Sequence, residues 1–241
     1  MDGVLDKKYA QERLKKKYLK FRYKQRALVS AWAVKKYLDQ SNGGFKLVDF
    51  GAAEGLALAE LARLLGDGGE FTGIEYDQSL IESAPEFPPN IRLEQGDVAH
   101  LSYVPDNSVD AITALAVLEH LRDPLSVVVE AKRILRPGGI FIATSPVPFW
   151  DKISDKILTK NKFGGGHHMT DMNKKAFLDL GKGADLEVVN FFYFMWAPIG
   201  FLPYLKIPVS AKFAWTVDRL IGKLKVCNWL FVNQCMVFRK K

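Results

Sequence analysis

The stretch LVDFGAAEGLALAEL, residues 47–61, decides the fold of this chain. Its apolar start predicts a buried strand, and helical composition begins at Leu56. Between the two lies a tight turn of small residues that includes Gly51, Ala53 and Gly55. A strand that passes through such a turn into a helix brings backbone N–H groups close to a ligand. The stretch therefore predicts a strand–turn–helix unit that binds a ligand at its turn.

A second segment, FTGIEYD at residues 71–77, supports this interpretation. It predicts another strand, which ends in the acid Glu75 about twenty residues after the turn. In doubly wound sheets an acid at this position meets the ribose hydroxyls of a nucleotide cofactor. The glycine turn departs from the usual three-glycine pattern, because Ala53 stands in a glycine position.

Strand and helix patterns then alternate along the chain. We predict strands over 46–50, 70–75, 91–94, 110–114, 139–144, 186–194 and 229–238, and helices over 55–65, 78–83 and 124–135. The alternation implies parallel strands with right-handed crossovers, and the last strand is expected to pair antiparallel with the sixth. The predicted fold class is α/β, a doubly wound Rossmann-like seven-stranded sheet with an antiparallel last strand.

The 241 residues fit one domain with additions. We divide it into an N-terminal helical cap (1–42), a cofactor-binding core (43–150), and a substrate-side lid with the C-terminal strands (151–241). The cap reads as a helix over 7–38, interrupted near Arg26, with one stripe facing inward. That stripe contains Leu14, Tyr18, Phe21, Gln25, Leu28 and Trp32.

The third part carries several further signals. Residues 146–172 are predicted to form a long loop with a hinge at Gly164–Gly166, and Asn173 is expected to cap the helix that follows. Between strands six and seven lies an insert. Its segment 191–205 is uncharged and rich in aromatics, and 210–225 reads as an amphipathic helix. The aromatic run is too short to span a bilayer, so the insert is expected either to contact a membrane surface or lipid, or to pack on the sheet or a second subunit.

Charge is distributed unevenly along the chain. The net charge is +8 over residues 1–40, −9 over 41–150 and +8 over 151–241. An acidic core suits a cationic cofactor, and basic flanks suit an anionic membrane, an acidic substrate or nucleic acid. The simplest alternative is that these lysines are solvated on helix faces.

The cysteine content and the N-terminus favour a cytoplasmic protein. Cys227 and Cys235 do not form a CxxC pair and have no histidine cluster beside them, so we expect two reduced thiols in the core. The first ten residues contain no apolar signal core. Association with a membrane surface is the alternative that the insert leaves open.

Three later segments sharpen the assignment: Gly-Asp-Val at 96–98, VLEHLRDP at 117–124 and Arg-Pro-Gly-Gly at 136–139. Together with the glycine turn and Glu75, they resemble the class I S-adenosylmethionine-dependent methyltransferases, in particular their small-molecule and quinone-lipid branch. The resemblance covers about residues 40–150. It implies S-adenosylmethionine as the cofactor.

The resemblance also implies roles for individual residues. The glycine turn wraps the methionine part of the cofactor, Glu75 holds the ribose hydroxyls, and Asp97 with the Val98 backbone reads the adenine. Leu115 and Ala116 line the methyl-transfer mouth. The implied cofactor-binding residues are Asp49, Gly51, Ala53, Gly55, Glu75, Tyr76, Asp97, Val98, Leu115 and Ala116.

Two histidines are candidates for a catalytic general base, which a hydroxyl acceptor needs near neutral pH. His120 follows the fourth strand, although the Glu119–His120 pair is a structural signature in many relatives. His168 matches a histidine that relatives often carry before the penultimate helix, although His167 and His168 also read as an exposed loop pair. His100 is expected to lie on the surface.

No metal is predicted. Glu119, His120, Asp123 and His168 could converge, but the chain shows no HExxH motif and no paired-ligand spacing.

The leading hypothesis is a methyltransferase that acts on a small, hydrophobic acceptor such as a quinone, a lipid or a phenolic compound. The aromatic insert motivates the acceptor class. Contact with a membrane surface through 191–225 is one candidate interaction, and packing on the sheet or on a second subunit is the favoured alternative. An RNA methyltransferase that uses the basic N-terminal helix is the second hypothesis, and nucleic acid is the less favoured partner. A third is a methyltransferase-like interaction protein with weak catalysis, because Ala53 adds a methyl group to the cofactor turn.

Overall fold

A computed structural model describes residues 12–39, 44–150, 152, 168–224 and 228–241 of the chain. The predicted hinge at Gly164–Gly166, His167 and Cys227 lie outside the described residues. Among the residues that are described, no helix combines the length and the apolar character needed to cross a bilayer.

Seven strands form one sheet in the order β3-β2-β1-β4-β5-β7-β6. The strands are β1 (Phe45–Phe50), β2 (Gly69–Glu75), β3 (Ile91–Gln95), β4 (Val109–Leu115), β5 (Leu135–Pro146), β6 (Glu187–Trp196) and β7 (Phe231–Arg239). β1 to β5 pair in parallel, and β7 pairs antiparallel with both β5 and β6. The predicted architecture, including the antiparallel last strand, is confirmed.

The described helices lie on both faces of the sheet. They are α1 (Lys17–Tyr37), α2 (Leu56–Leu65), α3 (Gln78–Ile81), α4 (Pro124–Ile134), α5 (Lys174–Gly183), α6 (Ala197–Gly200) and α7 (Ala211–Lys223). Short 3₁₀ turns cover Leu118–His120, Leu202–Leu205 and Asn228–Leu230. The predicted cap of α5 is confirmed, since Asn173 Oδ1 accepts a hydrogen bond from Ala176 N at 3.0 Å.

Strand alternation produces two apolar cores. In β1, Leu47 joins a core with α1, α2 and α7, whereas its neighbour Val48 joins a core with α4 and α5 on the other face. Successive side chains of a strand point to opposite faces, so the nearly continuous apolar strands of this chain are covered on both sides. β1 to β5 run parallel, and β6 runs in the same direction because β7 is antiparallel to both β5 and β6. The carboxyl ends of β1 to β6 therefore lie at one edge of the sheet.

The N-terminal helix differs from its prediction. α1 runs without interruption through Arg26, and the helical segment breaks instead at Lys16, whose backbone is extended. Phe21 and Gln25 are buried as expected, but Leu14 is 43% exposed. The second half of α1 is instead buried on several sides, because it packs against the sheet, α2 and α7.

Two boundaries near the C-terminus also differ. β6 continues through Trp196, so the first part of the aromatic run belongs to the sheet and the insert begins at Ala197. β5 begins at Leu135, with a register shift before Ile140 that accommodates the Pro-Gly-Gly segment as an irregularity in the strand. Cys235 is a buried free thiol in β7, as expected, and burial raises its pKa.

Candidate functional site

The predicted ligand-binding turn lies at the carboxyl end of β1. Gly51 has φ +67°, and a Cβ at this position would stand 2.7 Å from Val117 Cγ2. Gly55 has φ +76°, and its added Cβ would stand 2.8 Å from the ring of Phe87. Glycine is required at both positions because the backbone is left-handed and the neighbouring side chains leave no room.

Ala53 occupies the third position of this turn. It also adopts a left-handed conformation, with φ +51°, and its side chain is 1% exposed. This left-handed backbone conformation costs a residue with a Cβ about 1 kcal/mol. The alanine is accommodated in the turn conformation that the glycine pattern predicts.

Glu75 closes over the same turn from the end of β2. Its carboxylate Oε2 accepts a hydrogen bond from Ala53 N at 2.8 Å, and Oε1 accepts from Tyr76 N at 2.8 Å and Asp77 N at 3.1 Å. The side chain is 7% exposed. The acid that the sequence singled out is thus held by three backbone N–H groups, one of which, Ala53 N, belongs to the glycine turn.

Asp49 lies beneath the turn, at the end of β1. It is buried and accepts a hydrogen bond from Thr113 Oγ1 at 2.6 Å. Burial raises the pKa of Asp49 to about 7; the hydrogen bond from Thr113 opposes this shift, and the negative charge of Glu75 adds to it. A cation beside Asp49 would favour its ionised form.

Glu54 is a buried acid of the turn that the sequence reading did not assign. It is 1% exposed and forms an ion pair with Arg13, whose Nε lies 3.1 Å from Oε1. Burial raises the pKa of Glu54, and Arg13 opposes that shift. Arg13 therefore contacts the glycine turn from 41 positions earlier in the sequence, a contact with no local sequence signal.

The remaining predicted cofactor residues lie along the same edge of the sheet. Asp97 is exposed, follows β3 and accepts a hydrogen bond from Ala99 N at 2.9 Å, with Val98 half-buried beside it. Tyr76 is 46% exposed after Glu75. Leu115 ends β4, and Ala116 follows it in a left-handed conformation with φ +62°.

The two candidate catalytic histidines come together. The ring centroids of His120 and His168 lie 4.6 Å apart in an edge-to-face arrangement. Three hydrogen bonds fix this pairing: Met169 N and Thr170 N donate to Glu119 O at 2.8 and 3.1 Å, and Thr170 Oγ1 donates to Leu121 O at 3.1 Å. The loop before α5 is thereby held against the end of β4. His100 is exposed, as predicted.

Glu119, His120 and His168 also form the group that could hold a metal ion among the described residues. One ligand atom from each lies within 4.8 Å of the others, and Glu119 is buried. Asp123 does not join them; it caps α4 by accepting from Leu125 N at 3.1 Å. The sequence analysis predicted no metal. Whether this group of three residues binds a metal ion can be tested by adding a chelator.

Aromatic side chains extend from this edge of the sheet. Ring contacts link Trp150, which follows β5, through Phe201 and Tyr204 to Tyr18 of α1. Trp150 Nε1 donates to Trp229 O at 2.8 Å. Phe149 and Trp229 are more than half exposed. The insert after β6 therefore lines the sheet edge that carries the glycine turn and the histidine pair.

Comparison with known proteins agrees with this geometry. A family model described as a methyltransferase domain matches residues 48–143, which include the glycine turn, Glu75 and His120. The chain is 32% identical over 106 residues to a probable S-adenosylmethionine-dependent methyltransferase of Mycolicibacterium smegmatis. It is 28% identical over 144 residues to the ubiquinone biosynthesis O-methyltransferase of Xanthomonas oryzae pv. oryzae.

These similarities cover the core rather than the whole chain. The first match covers 43% of this chain and 38% of the relative, and the second covers 56% and 59%. The chain thus spans less than two thirds of the length of these relatives.

The fold is shared more widely. A chain from the complex between the Haloferax volcanii Trm112 methyltransferase activator and a methyltransferase superposes with a TM-score of 0.64 at 17% identity, over 95% of this chain and 92% of the other. At that identity the likeness concerns the fold. The family model, the sequence matches and the sheet topology all support the resemblance of the core, residues 48–143, to the class I S-adenosylmethionine-dependent methyltransferases.

Proposed function

We propose that this protein is an enzyme that transfers the methyl group of S-adenosylmethionine to a small hydrophobic acceptor of the quinone, lipid or phenolic type. The proposal rests on one observation: the glycine turn with its bound acid, Glu75, and the His120–His168 pair lie at the same edge of the sheet. The cofactor-binding roles of the individual residues remain part of this proposal.

The residues at the turn fit a cationic cofactor. Asp49 of β1, Glu54 of the turn and Glu75 of β2 are all buried, and Arg13 is the cation paired with Glu54. Burying several carboxylates together is costly without a compensating charge. The sulfonium and amino groups of S-adenosylmethionine would supply such charge. Glu75, held by three backbone donors, is the residue proposed to bind the ribose.

The chain's contribution to the chemical step is proposed to be positioning and proton removal. When bound, S-adenosylmethionine supplies an electrophilic methyl group. The turn and Glu75 hold the donor, and the aromatic residues after β5 and β6 exclude water and orient the acceptor, so that alignment lowers the barrier. His168 or His120 accepts the proton of a hydroxyl acceptor.

The aromatic edge supports a hydrophobic acceptor. Trp150, Phe201 and Tyr204 form a continuous series of ring contacts next to the candidate site. The ubiquinone O-methyltransferase relative acts, by its name, in quinone biosynthesis. A reduced quinone or phenol would pack its ring against such a surface and present a hydroxyl to the histidine pair.

The first experiment is calorimetric titration of the full chain with S-adenosylmethionine. We expect Glu75→Ala to weaken binding by at least about 100-fold, because it removes the proposed ribose ligand and the acceptor of three backbone N–H groups. Glu70→Ala is the matched control, since Glu70 is exposed on the same strand. Equal affinity of wild type and Glu75→Ala, with both folded by circular dichroism, would contradict the proposed cofactor site.

A second experiment assigns the base. With a phenolic acceptor, His168→Ala is expected to lower kcat by 10²–10⁴-fold and to remove the acidic limb of the pH profile, while S-adenosylmethionine affinity is unchanged. His100→Ala is the control for an exposed histidine. Loss of turnover on chelation, restored by added divalent ion, would reassign the group Glu119, His120 and His168 as a metal site.

A further inference from the structure

A groove of about 530 Å³ is lined by α1, by Glu60 and Arg63 of α2, and by the segment 203–212. Six of its lining side chains are basic, and Glu60, which is paired with Arg63 at 2.8 Å, is the acid among them. The basic residues are Lys17, Lys20, Lys24, Arg63, Lys206 and Lys212. Phe21, Ile207 and Val209 contribute an apolar floor and rim.

The lysines of this groove face solvent. Lys17, Lys20 and Lys24 follow one another at helical spacing on α1 and are exposed, as are Lys206 and Lys212. Among the described residues, none of these five forms an ion pair with an acid. Like charges placed together on one concave surface raise the local positive potential and attract an anionic partner.

Exposed apolar side chains continue the same surface. Leu205 is 70% exposed and Ile207 is 47% exposed at the edge of the groove. On α7, Phe213, Leu220 and Leu224 are 56%, 59% and 61% exposed. Solvent exposure of this many large apolar groups in one region indicates a docking surface.

The pattern of α7 explains how charge and apolar surface combine. Lys212, Arg219 and Lys223 each immediately precede one of the exposed apolar residues Phe213, Leu220 and Leu224. Since consecutive helical residues are about 100° apart, a basic stripe runs beside the apolar stripe. A third stripe, with Ala214 and Asp218, is buried against the sheet and α1.

We propose that this face docks on an anionic lipid bilayer. We define the basic–apolar face by Lys17, Lys20, Lys24, Lys206, Lys212, Leu205, Ile207, Phe213, Leu220 and Leu224. Helices with adjacent basic and apolar stripes lie in the plane of a membrane interface, with the apolar groups in the acyl boundary and the cations at the headgroups. The charge of the face matches an anionic leaflet.

Other occupants match this face less well. A second copy of the chain would bring the same cations into contact. Nucleic acid binds through cations combined with aromatic rings that stack on bases, whereas four of the five exposed apolar residues here are leucine or isoleucine. Aliphatic side chains favour a hydrocarbon environment.

The location of the face connects it to the candidate site. The turn Leu202–Leu205, which borders the groove, follows the end of β6 at the same sheet edge as the glycine turn. Tyr204 of this turn stacks on Tyr18 at 4.5 Å and contacts Phe201, which contacts Trp150 after β5. A protein docked through this face would carry the aromatic series at the membrane boundary. The docking proposal does not depend on the methyl-transfer proposal.

The test is co-sedimentation of the full chain with vesicles of phosphatidylcholine alone or mixed with phosphatidylglycerol. We expect binding to the anionic vesicles, no binding to the neutral ones, and affinity that falls as salt rises. Replacing three lysines, in Lys17→Gln/Lys20→Gln/Lys24→Gln, should lower the partition coefficient by roughly 100-fold, at about fivefold per lysine. The matched control, Lys174→Gln/Lys175→Gln/Lys182→Gln, makes the same change in charge on α5, on the opposite face of the sheet.

A second variant tests the apolar contribution. Leu220→Ser/Leu224→Ser alters residues that already face solvent, so the fold should be retained, and anionic-vesicle binding should fall by at least about tenfold. Val129→Ser/Leu178→Ser is its control on α4 and α5, where both residues are also exposed. Absence of vesicle binding, or equal losses in the test and control variants, would overturn the proposal.

Single-stranded RNA and inorganic phosphate complete the test as competitors. If RNA displaces the protein and Leu220→Ser/Leu224→Ser binds vesicles as wild type does, the face is a nucleic-acid surface and the bilayer proposal fails. If inorganic phosphate displaces the protein while sodium chloride at the same ionic strength does not, the groove binds small anions and the bilayer proposal fails. Retention of binding in the presence of both competitors, together with loss in both test variants, supports bilayer docking.

Discussion

Two buried carboxylates at the same sheet edge are held in different ways. Asp49, under the glycine turn, accepts one hydrogen bond from the described residues, from Thr113. Asp218, on α7 of the insert, accepts three: from Gln25 Nε2 at 3.1 Å, Met195 N at 2.8 Å and Trp196 N at 2.8 Å. Burial raises the pKa of both groups. Three hydrogen bonds oppose this shift at Asp218, whereas at Asp49 one hydrogen bond, from Thr113, and the charge of Arg13 oppose it.

The difference separates the proposed ligand site from a structural anchor. Asp218 has its hydrogen-bonding needs met by the protein and fastens α7 to the end of β6. Asp49 lies beside a second acid, Glu75, which adds to its raised pKa. An under-compensated carboxylate next to a glycine turn is the arrangement expected where a cationic ligand completes the site.

The largest expected effect concerns the anchor. Asp218→Ala leaves two backbone N–H groups and one amide without their acceptor in a buried position, at about 1–3 kcal/mol each. We expect the free energy of unfolding in urea to fall by about 5 kcal/mol. Asp179→Ala, on the exposed side of α5, is the control and should change it by less than about 0.5 kcal/mol. A loss below about 1 kcal/mol would show that the three hydrogen bonds do not anchor the helix.

The next effect concerns Asp49 and depends on pH. Because its folded pKa is raised to about 7 from the ordinary value near 3.8, the folded state keeps a proton that the unfolded state releases. The stabilisation that protonated Asp49 gives the folded state is therefore fully present below about pH 4 and is lost as pH rises through 7. The free energy of unfolding falls by at most about 4 kcal/mol over this range.

This dependence can be measured against a variant that cannot ionise. The stability of wild type relative to Asp49→Asn should decline between about pH 4 and about pH 7 and then level off. Glu54 and Asp218 also have raised pKa values, so the difference between the two proteins, not the wild-type curve alone, is the informative quantity. Parallel curves would mean that Asp49 does not titrate in this range.

The smallest effect concerns Ala53. Glycine at this position removes the conformational cost of a left-handed alanine, about 1 kcal/mol. It also gives the unfolded chain more conformational entropy, which lowers the stability of the fold by a similar amount. We expect Ala53→Gly to change the unfolding free energy by less than about 1 kcal/mol and S-adenosylmethionine affinity by less than about twofold. Ala52→Gly is the matched control. Because Ala52 is buried and has no positive φ, this substitution should lower the free energy of unfolding by about 1 kcal/mol. A large gain in affinity for Ala53→Gly would support the weak-binding alternative.

Much of the cofactor half could be predicted from local patterns. The order and type of the strands, the glycine turn and, further along the chain, the cap by Asn173 follow from periodicity and from side chains that bond their own neighbours. The family relationship follows from the same motifs and is confirmed by the match over residues 48–143. The individual site roles remain predictions.

The predicted boundaries of β6 and the predicted inward stripe of α1 were wrong where an apolar composition does not distinguish a strand from a helix or a loop. The run FFYFMWAPIGFLPYL is uniformly apolar, so the end of β6 at Trp196 is set by pairing with Phe231 of β7 and not by a local signal. The inward stripe assigned to α1 failed at Leu14 because the helical segment breaks at Lys16, which changes the direction of the preceding turn.

The sequence by itself determined the order of the elements, the glycine turn and the acid that follows it, since each depends on neighbouring residues. Only the tertiary structure decided which distant groups meet. Arg13 reaches Glu54, His168 reaches His120, and the lysines of α1 join the segment 203–212 in one groove. These contacts link positions 41 to about 190 residues apart, and they arise from the packing of helices on the sheet, which no local pattern encodes.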